Sequence, residues 1–492
     1  MGLCSKPDKA SDVAKQKGSD NKIDKPAQIC PLEEQEDAKI VSIAWLDGGD
    51  DIETASADQY VNLPREDKWV NGDEIKNTDR LGLKPRLKVR FDKEGCFSFK
   101  AKLLKPTGTD PYTDPEQGRN GDFKYTETEK SYTTEADGTK IIDGDFQLVA
   151  GGGYKFKARA RDSKDRVVKT GELRTMRLFY YVEAKMTGLS SILGSTGPIE
   201  SEYATHFMVL KKLPALSIPR QNNIGSSTDS ATLASNVNAV VNAENAVKEK
   251  KPYLLTVAYT DHLAVKHPDV NISKANVEVG PGKPSVSIPV VAAGLRSPFT
   301  VKSHHLWHDL VPGEGWFVDA KFIDDGGDQT SIPADRVSHG LVGSGWKKVV
   351  VDVTGLPEAR GTVQVTVDVV DRMRGGLALG GANQTCVCTR AWWRDQSEAK
   401  QECTIIHEFG HKVYMVTDGT GQLPDKVDTH YENKGHVGNH CYKGCADGLD
   451  NYNTTANKNA SQCVMFGTVN EKNAFCDNCG KAVKKMDIGG GW

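Results

Sequence analysis

Short runs in which apolar and polar residues alternate, each closed by a turn, recur along most of this chain. Lys39-Ile40-Val41-Ser42-Ile43-Ala44-Trp45, Leu87-Lys88-Val89-Arg90-Phe91 and Cys96-Phe97-Ser98-Phe99-Lys100-Ala101 are three of them. Successive strand residues point to opposite faces, so each run presents one apolar and one wet face. Strands of that kind fold by stacking their apolar faces, which predicts packed sheets. Polar, glycine-bearing stretches such as Asp92-Lys93-Glu94-Gly95 separate them, and many of the 48 glycines fall in such clusters. Gly153-Tyr154-Lys155-Phe156-Lys157-Ala158-Arg159-Ala160, followed by Asp162-Ser163-Lys164-Asp165, reads as a late strand and hairpin of an immunoglobulin-like sandwich. Phe99-Lys100-Ala101 and Phe156-Lys157-Ala158 hint at a duplication.

The 492 residues leave room for roughly three domains. Residues 1–32 are polar, rich in Lys and Asp, and read as a disordered tail. Residues 33–215 read as β-rich sandwich modules. Residues 216–251, rich in Ser, Asn and Ala, read as a linker or a helix. Residues 252–492 read as a domain that mixes strands, among them Val349-Val350-Val351 and Val363-Gln364-Val365-Thr366-Val367, with one strong helix; its core is 340–492. The expected class is therefore α+β.

A composition of 38% apolar and 26% charged residues suits a chain that can bury a core. A net charge of -3 supplies no field toward nucleic acid or an anionic membrane, so no nucleic-acid partner is expected. No apolar run reaches about 18 residues, so no transmembrane segment is expected. Met1-Gly2-Leu3-Cys4 leads into polar residues and lacks the apolar core of a signal peptide, and Lys6 stands where myristoylation wants Ser or Thr.

The strong helix carries His407-Glu408-Phe409-Gly410-His411. At 3.6 residues per turn, His407 and His411 leave one face, one above the other, and two imidazole nitrogens can share one Zn²⁺ at about 2.0–2.1 Å. Glu408 stands beside them as a base for the attacking water. Asp395 and Glu398 suit a capping box upstream, and Gly419 a stop downstream. A catalytic site wants a third protein ligand. Candidates are His430, His436 and His440, with Glu432 as an acidic outsider. The glycine-kinked run Gly435-His436-Val437-Gly438-Asn439-His440-Cys441 favours His440. Tyr431 and Tyr442 are candidates for stabilising an oxyanion. Met465, in Cys463-Val464-Met465-Phe466-Gly467, reads either as an apolar floor beneath the metal or as a plain core residue. Gly375-Gly376-Leu377-Ala378 is positioned to be a substrate-pairing edge strand or a buried one.

Eleven cysteines are present, and five (Cys441, Cys445, Cys463, Cys476, Cys479) crowd the last stretch. Disulfides are the expected reading. Cys476-Asp477-Asn478-Cys479 is also half of a zinc ribbon, whose completion needs two more ligands from Cys441, Cys445 or Cys463.

Taken in order, Thr389-Arg390-Ala391-Trp392-Trp393, the His-Glu motif, His440-Cys441, Cys463-Val464-Met465-Phe466-Gly467 and Phe475-Cys476-Asp477-Asn478-Cys479 resemble the metallopeptidase toxin domains of bacterial type VI secretion effectors, including those fused to secretion-spike proteins. The resemblance is best over 340–492. It implies a zincin-like domain behind the sandwiches and a zinc endopeptidase acting on peptide or protein substrates. It also implies a secretion-spike protein and an immunity protein as partners, and delivery by injection, without a signal peptide, into a target cell's periplasm. Metal ligands His407 and His411 and catalytic Glu408 carry over directly. The resemblance also admits an acidic third ligand in place of His440, for which Glu432 and Glu471 are the options. The competing expectation is a non-catalytic cargo or adaptor protein with a vestigial metal helix. A weaker one is an amide hydrolase of cell-wall peptide.

Overall fold

The computed structural model describes residues 37–46, 53–54, 57–61, 84–107, 125–149, 152–189, 196–221, 223–251, 253–260, 262–290, 306–307, 314–342, 346–379, 385–389, 397–414, 441, 459, 461–466, 472–476, 479–480 and 483. The expected tail at 1–32 lies outside them, as do His430, Tyr431, Glu432, His436, His440, Tyr442, Cys445 and Glu471.

The alternating runs form strands where their period predicts. Ile40–Leu46, Leu87–Phe91 and Thr139–Ile142 lie side by side in one antiparallel four-stranded sheet; Ser98–Leu103, Lys130–Thr133, Ala158–Asp162 and Val167–Lys169 form another. Their apolar faces meet in one core that includes Trp45, Val89, Phe99, Leu103, Phe146 and Phe156. This is the expected N-terminal sandwich. The hairpin is there too, with Val167 opposite Arg161. Of the two Phe-Lys-Ala runs, Phe99-Lys100-Ala101 lies wholly in this sheet, whereas Phe156 pairs with Leu173 and only Ala158 pairs here, with Leu103.

A second sandwich occupies 264–373. Ala264–Val279, Ala359–Met373, Phe317–Asp324 and Gln329–Ser331 form one sheet, and Val286–Pro289, Trp346–Val351 and Val337–Val342 the other. Val363, Val365, Val367 and Val369 are all fully buried, which is the period-two pattern at its plainest. Both ends of this module leave at one place, where the Arg374 N–H donates to the Leu263 carbonyl at 3.0 Å.

Between the sandwiches lies a mixed sheet. Leu173–Met186 runs parallel to Met208–Lys212 on one side and to Leu254–Thr260 on the other; Thr385–Thr389 is parallel to the latter, and Gly376–Ala378 closes the edge antiparallel. Leu254–Thr260 is buried at every residue, as a strand covered on both faces must be. Helix α1 (Gly197–Thr205) and helix α3 (Glu398–Tyr414) cover one face. Helix α2 (Ser227–Ala243) covers the other through Leu233, Val237 and Val241. A reciprocal capping box between Ser226 and Asp229 starts α2, so the Ser/Asn/Ala-rich stretch is a packed helix, not a linker.

This sheet does not follow the division at 216–251. Its longest strand, Leu173–Met186, pairs in its first half with Ala57–Tyr60 and Lys155–Phe156 near the N-terminal sandwich, and in its second half with the strands beneath α3. Strands from 173–212 are thus built into the unit assigned to 252–492, while 264–373 folds away from it as an insertion. The molecule is a strand-rich α+β protein. Among the described residues no helix is long and apolar enough to cross a membrane.

Candidate metal centre

Helix α3 starts behind Ser397, whose Oγ accepts from the Lys400 N–H at 3.4 Å. The expected capping residue Asp395 and the expected stop Gly419 lie outside the described residues. Ile405, Ile406, Phe409 and Val413 are buried and mark one stripe of a 3.6-residue helix. That stripe packs on the sheet, with the Phe409 ring edge-on to Tyr181 at 5.9 Å. Tyr203 Oη of α1 donates to the Ile406 carbonyl at 2.8 Å. Cys386 Sγ of the adjacent strand donates to the Glu408 carbonyl at 3.2 Å. Burial pushes the Cys386 and Cys388 thiols far above the ordinary thiol range, so they act here as packing and donor groups, not as nucleophiles.

With the apolar stripe on the sheet, His407 and His411 stand half-buried together. Their Nε2 atoms are 3.0 Å apart. His407 Nδ1 lies 2.7 Å from the Val464 carbonyl. A carbonyl only accepts, so Nδ1 carries the proton, and His407 Nε2 is the acceptor nitrogen that faces His411. A tetrahedral dication with ligands at about 2.0–2.1 Å separates two imidazole nitrogens by about 3.3 Å, so the spacing fits one ion. The carbonyl supplies the outer hydrogen bond that ligating histidines use to fix ring and tautomer.

Glu408 is 7% exposed. Burial pushes its carboxyl up to about 8, against the pull of the Ala378 N–H, Arg374 and Lys412. A bound cation would lower it again. Lys412 Nζ donates to the Leu379 carbonyl, tying the helix to the end of the edge strand. His407, Glu408 and His411 offer atoms within 4.8 Å of one another and form a group able to hold a metal ion.

Two glycines make this approach possible. A Cβ at Gly376 would stand 2.7 Å from Glu408 Oε1 and 2.4 Å from Thr404 Cγ2. A Cβ at Gly410, inside the motif, would stand 2.4 Å from Met465 Sδ. Met465 is fully buried, in a turn directly against the helix. The Phe466 N–H closes that turn on the Cys463 carbonyl at 3.2 Å, and the Cys441 N–H donates to the Met465 carbonyl at 2.7 Å. Met465 is a buried core residue packed against the motif helix at Gly410.

The disulfide expectation for the C-terminal cysteines is corrected. Cys441, Cys463, Cys476 and Cys479 are not in disulfides; the chain folds all four Sγ atoms into one buried group within 4.8 Å. Cys96, in the N-terminal sandwich, is in a disulfide. Sequence reading missed the Val464 carbonyl, since a backbone acceptor carries no residue-type signal. It also missed Glu202, whose carboxylate accepts from the Phe475 N–H at 2.8 Å and joins α1 to the C-terminal segment. The i,i+4 spacing of Glu202 and His206 on α1 was the only hint.

No family model matches this chain. No curated protein matches it either. Among solved structures, a polysaccharide deacetylase from Bacillus cereus aligns at 10% identity and a TM-score of 0.12, over 36% of this chain and 56% of that one. A cycloisomaltooligosaccharide glucanotransferase from Paenibacillus sp. aligns at 6% identity and 0.15, over 75% and 80%. The major pilin SpaD from Corynebacterium diphtheriae aligns at 11% identity and 0.10, over 65% and 59%. Scores this low carry no argument about the present chain.

Proposed function

We propose that this chain is a zinc-dependent endopeptidase with Glu408 as its catalytic base. The observation that carries the reading is the pair of Nε2 atoms at 3.0 Å, one fixed in its metal-binding tautomer by the Val464 carbonyl, with a buried carboxylate alongside. His407 and His411 hold the zinc. His440 is the third ligand in this reading, on the strength of its glycine-kinked sequence context. When bound, the zinc polarises the scissile carbonyl and acidifies the attacking water.

Glu408 takes a proton from that water as its oxygen attacks the carbonyl carbon, and returns the proton to the leaving nitrogen as the C–N bond breaks. The fold supports a peptide substrate in one further respect. Gly376–Ala378 is the edge strand of the mixed sheet and lies against the helix at Glu408. An extended peptide can add to such an edge through its main chain. The role as a delivered toxin, with a secretion-spike partner and an immunity protein, rests on the sequence resemblance alone.

The test uses the purified full chain. Glu408→Gln should keep its zinc and lose about 10²–10⁴-fold in peptide hydrolysis. His411→Ala should lose one equivalent of zinc together with activity. Activity undiminished in Glu408→Gln would overturn the assigned base, and a wild type without peptide hydrolysis would leave the adaptor reading standing.

A further inference from the structure

The four C-terminal cysteines come from three separate segments. Cys441 and Cys463 each arrive singly, and Cys476 and Cys479 share a turn in which the Gly480 N–H donates to the Cys476 carbonyl at 2.8 Å. All four are at most 6% exposed, in a core that also contains Phe409, Val464, Met465, Phe475 and Val483. Every pair of Sγ atoms lies within 4.8 Å, and Cys441 Sγ and Cys476 Sγ are 3.8 Å apart.

A tetrahedral zinc with Zn–S bonds of about 2.3 Å sets its sulfurs about 3.8 Å apart along each edge. A disulfide needs about 2.05 Å. The spacing therefore suits four thiolates around one ion. The Cys476 N–H donates to Cys463 Sγ at 3.3 Å, which fixes that sulfur within the group. Four like sulfurs in an apolar core have no packing reason to converge, and a shared cation supplies one.

We propose that Cys441, Cys463, Cys476 and Cys479 bind a second zinc ion, closed and structural, distinct from the histidine site. The ion does not need the peptidase reading to be right. It clamps three segments that also meet through apolar packing and hydrogen bonds. It fixes both ends of the support under α3: Cys463 begins the turn that presents the Val464 carbonyl to His407, and Cys441 bonds to that turn at Met465. Cys4 sites without an open position hold structure and do no chemistry. Here the structure held is the floor of the other metal site.

The test is metal counting joined to cobalt spectroscopy on the full chain purified under reducing conditions. Wild type should carry two zinc ions, and His407→Ala/His411→Ala one. Cobalt exchanged into that double variant should give strong sulfur-to-cobalt charge-transfer bands, which histidine ligands cannot produce. Adding Cys476→Ser to it should abolish those bands. A cobalt form without sulfur bands would overturn the proposal even where the serine variant fails to fold. So would mass spectrometry of the native chain showing the four cysteines paired as disulfides, or iron in place of zinc in the purified protein. Zinc retained at the cysteines in a chain without peptidase activity would uphold this site and count only against the catalytic reading.

Discussion

The inserted sandwich and the layer around the motif helix each have a buried apolar core, yet the segments of the second are also joined by directed polar bonds. In the sandwich, valines at 363, 365, 367 and 369 meet valines and isoleucines of the facing sheet, and stability is spread over many equivalent apolar contacts. In the layer around the motif helix, single polar bonds join distant segments: Tyr203 to Ile406, Glu202 to Phe475, His407 to Val464, and Arg177 to Val483. Area-based cohesion degrades gradually as side chains are trimmed. A layer tied by a few directed bonds and by the proposed metal ions fails as a unit when one tie goes.

The largest expected effect is that of metal removal. Chelation should raise hydrogen exchange in 398–414 and 461–483 to nearly unprotected rates, while the strand amides of 264–373 keep theirs. A uniform rise across both regions would erase the distinction. Next comes Phe409→Ala, expected to cost about 3–5 kcal/mol and to release zinc. Val365→Ala, equally buried, should cost about 2 kcal/mol with zinc content unchanged, read from denaturant midpoints and metal analysis. Gly376→Ala brings a methyl toward Glu408 at a cost of ~1–3 kcal/mol; the chain should stay folded and zinc-loaded but lose hydrolysis. Normal activity there would mean that the edge strand can retreat. The smallest effect is expected at Arg174→Ala, which breaks an exposed pair with Asp58 worth at most ~1 kcal/mol and should move neither region.

The strands were largely legible in the sequence because their information is periodic: Leu87–Phe91 alternates in letters and in burial alike, but only the N-terminal sandwich was expected, while the one at 264–373 was read as part of the helix-bearing domain. The motif helix was legible through the i,i+4 spacing of His407 and His411. What escaped was connectivity. Nothing local in Leu173–Met186 tells that its second half pairs with Leu254–Thr260, so the boundary at 216–251 cut through a sheet. The cysteines were visible as a cluster, but whether they pair or converge depends on where three loops end in space. The Val464 carbonyl, which sets the His407 tautomer, could not be named from any residue type.

The reach of the contact between Arg177 and Val483, 306 residues apart, has a consequence in time. On a ribosome adding about 5–20 residues per second, Arg177 precedes its partner by roughly 15–60 seconds. Both sandwiches have emerged whole before then. His407, Glu408 and His411 have emerged too, but without the Val464 carbonyl beneath them or Phe475 docked on Glu202. The nascent chain thus carries the histidine pair for some seconds before the carbonyl that fixes the His407 tautomer exists, so the motif helix gains this support only after residue 464 has been made.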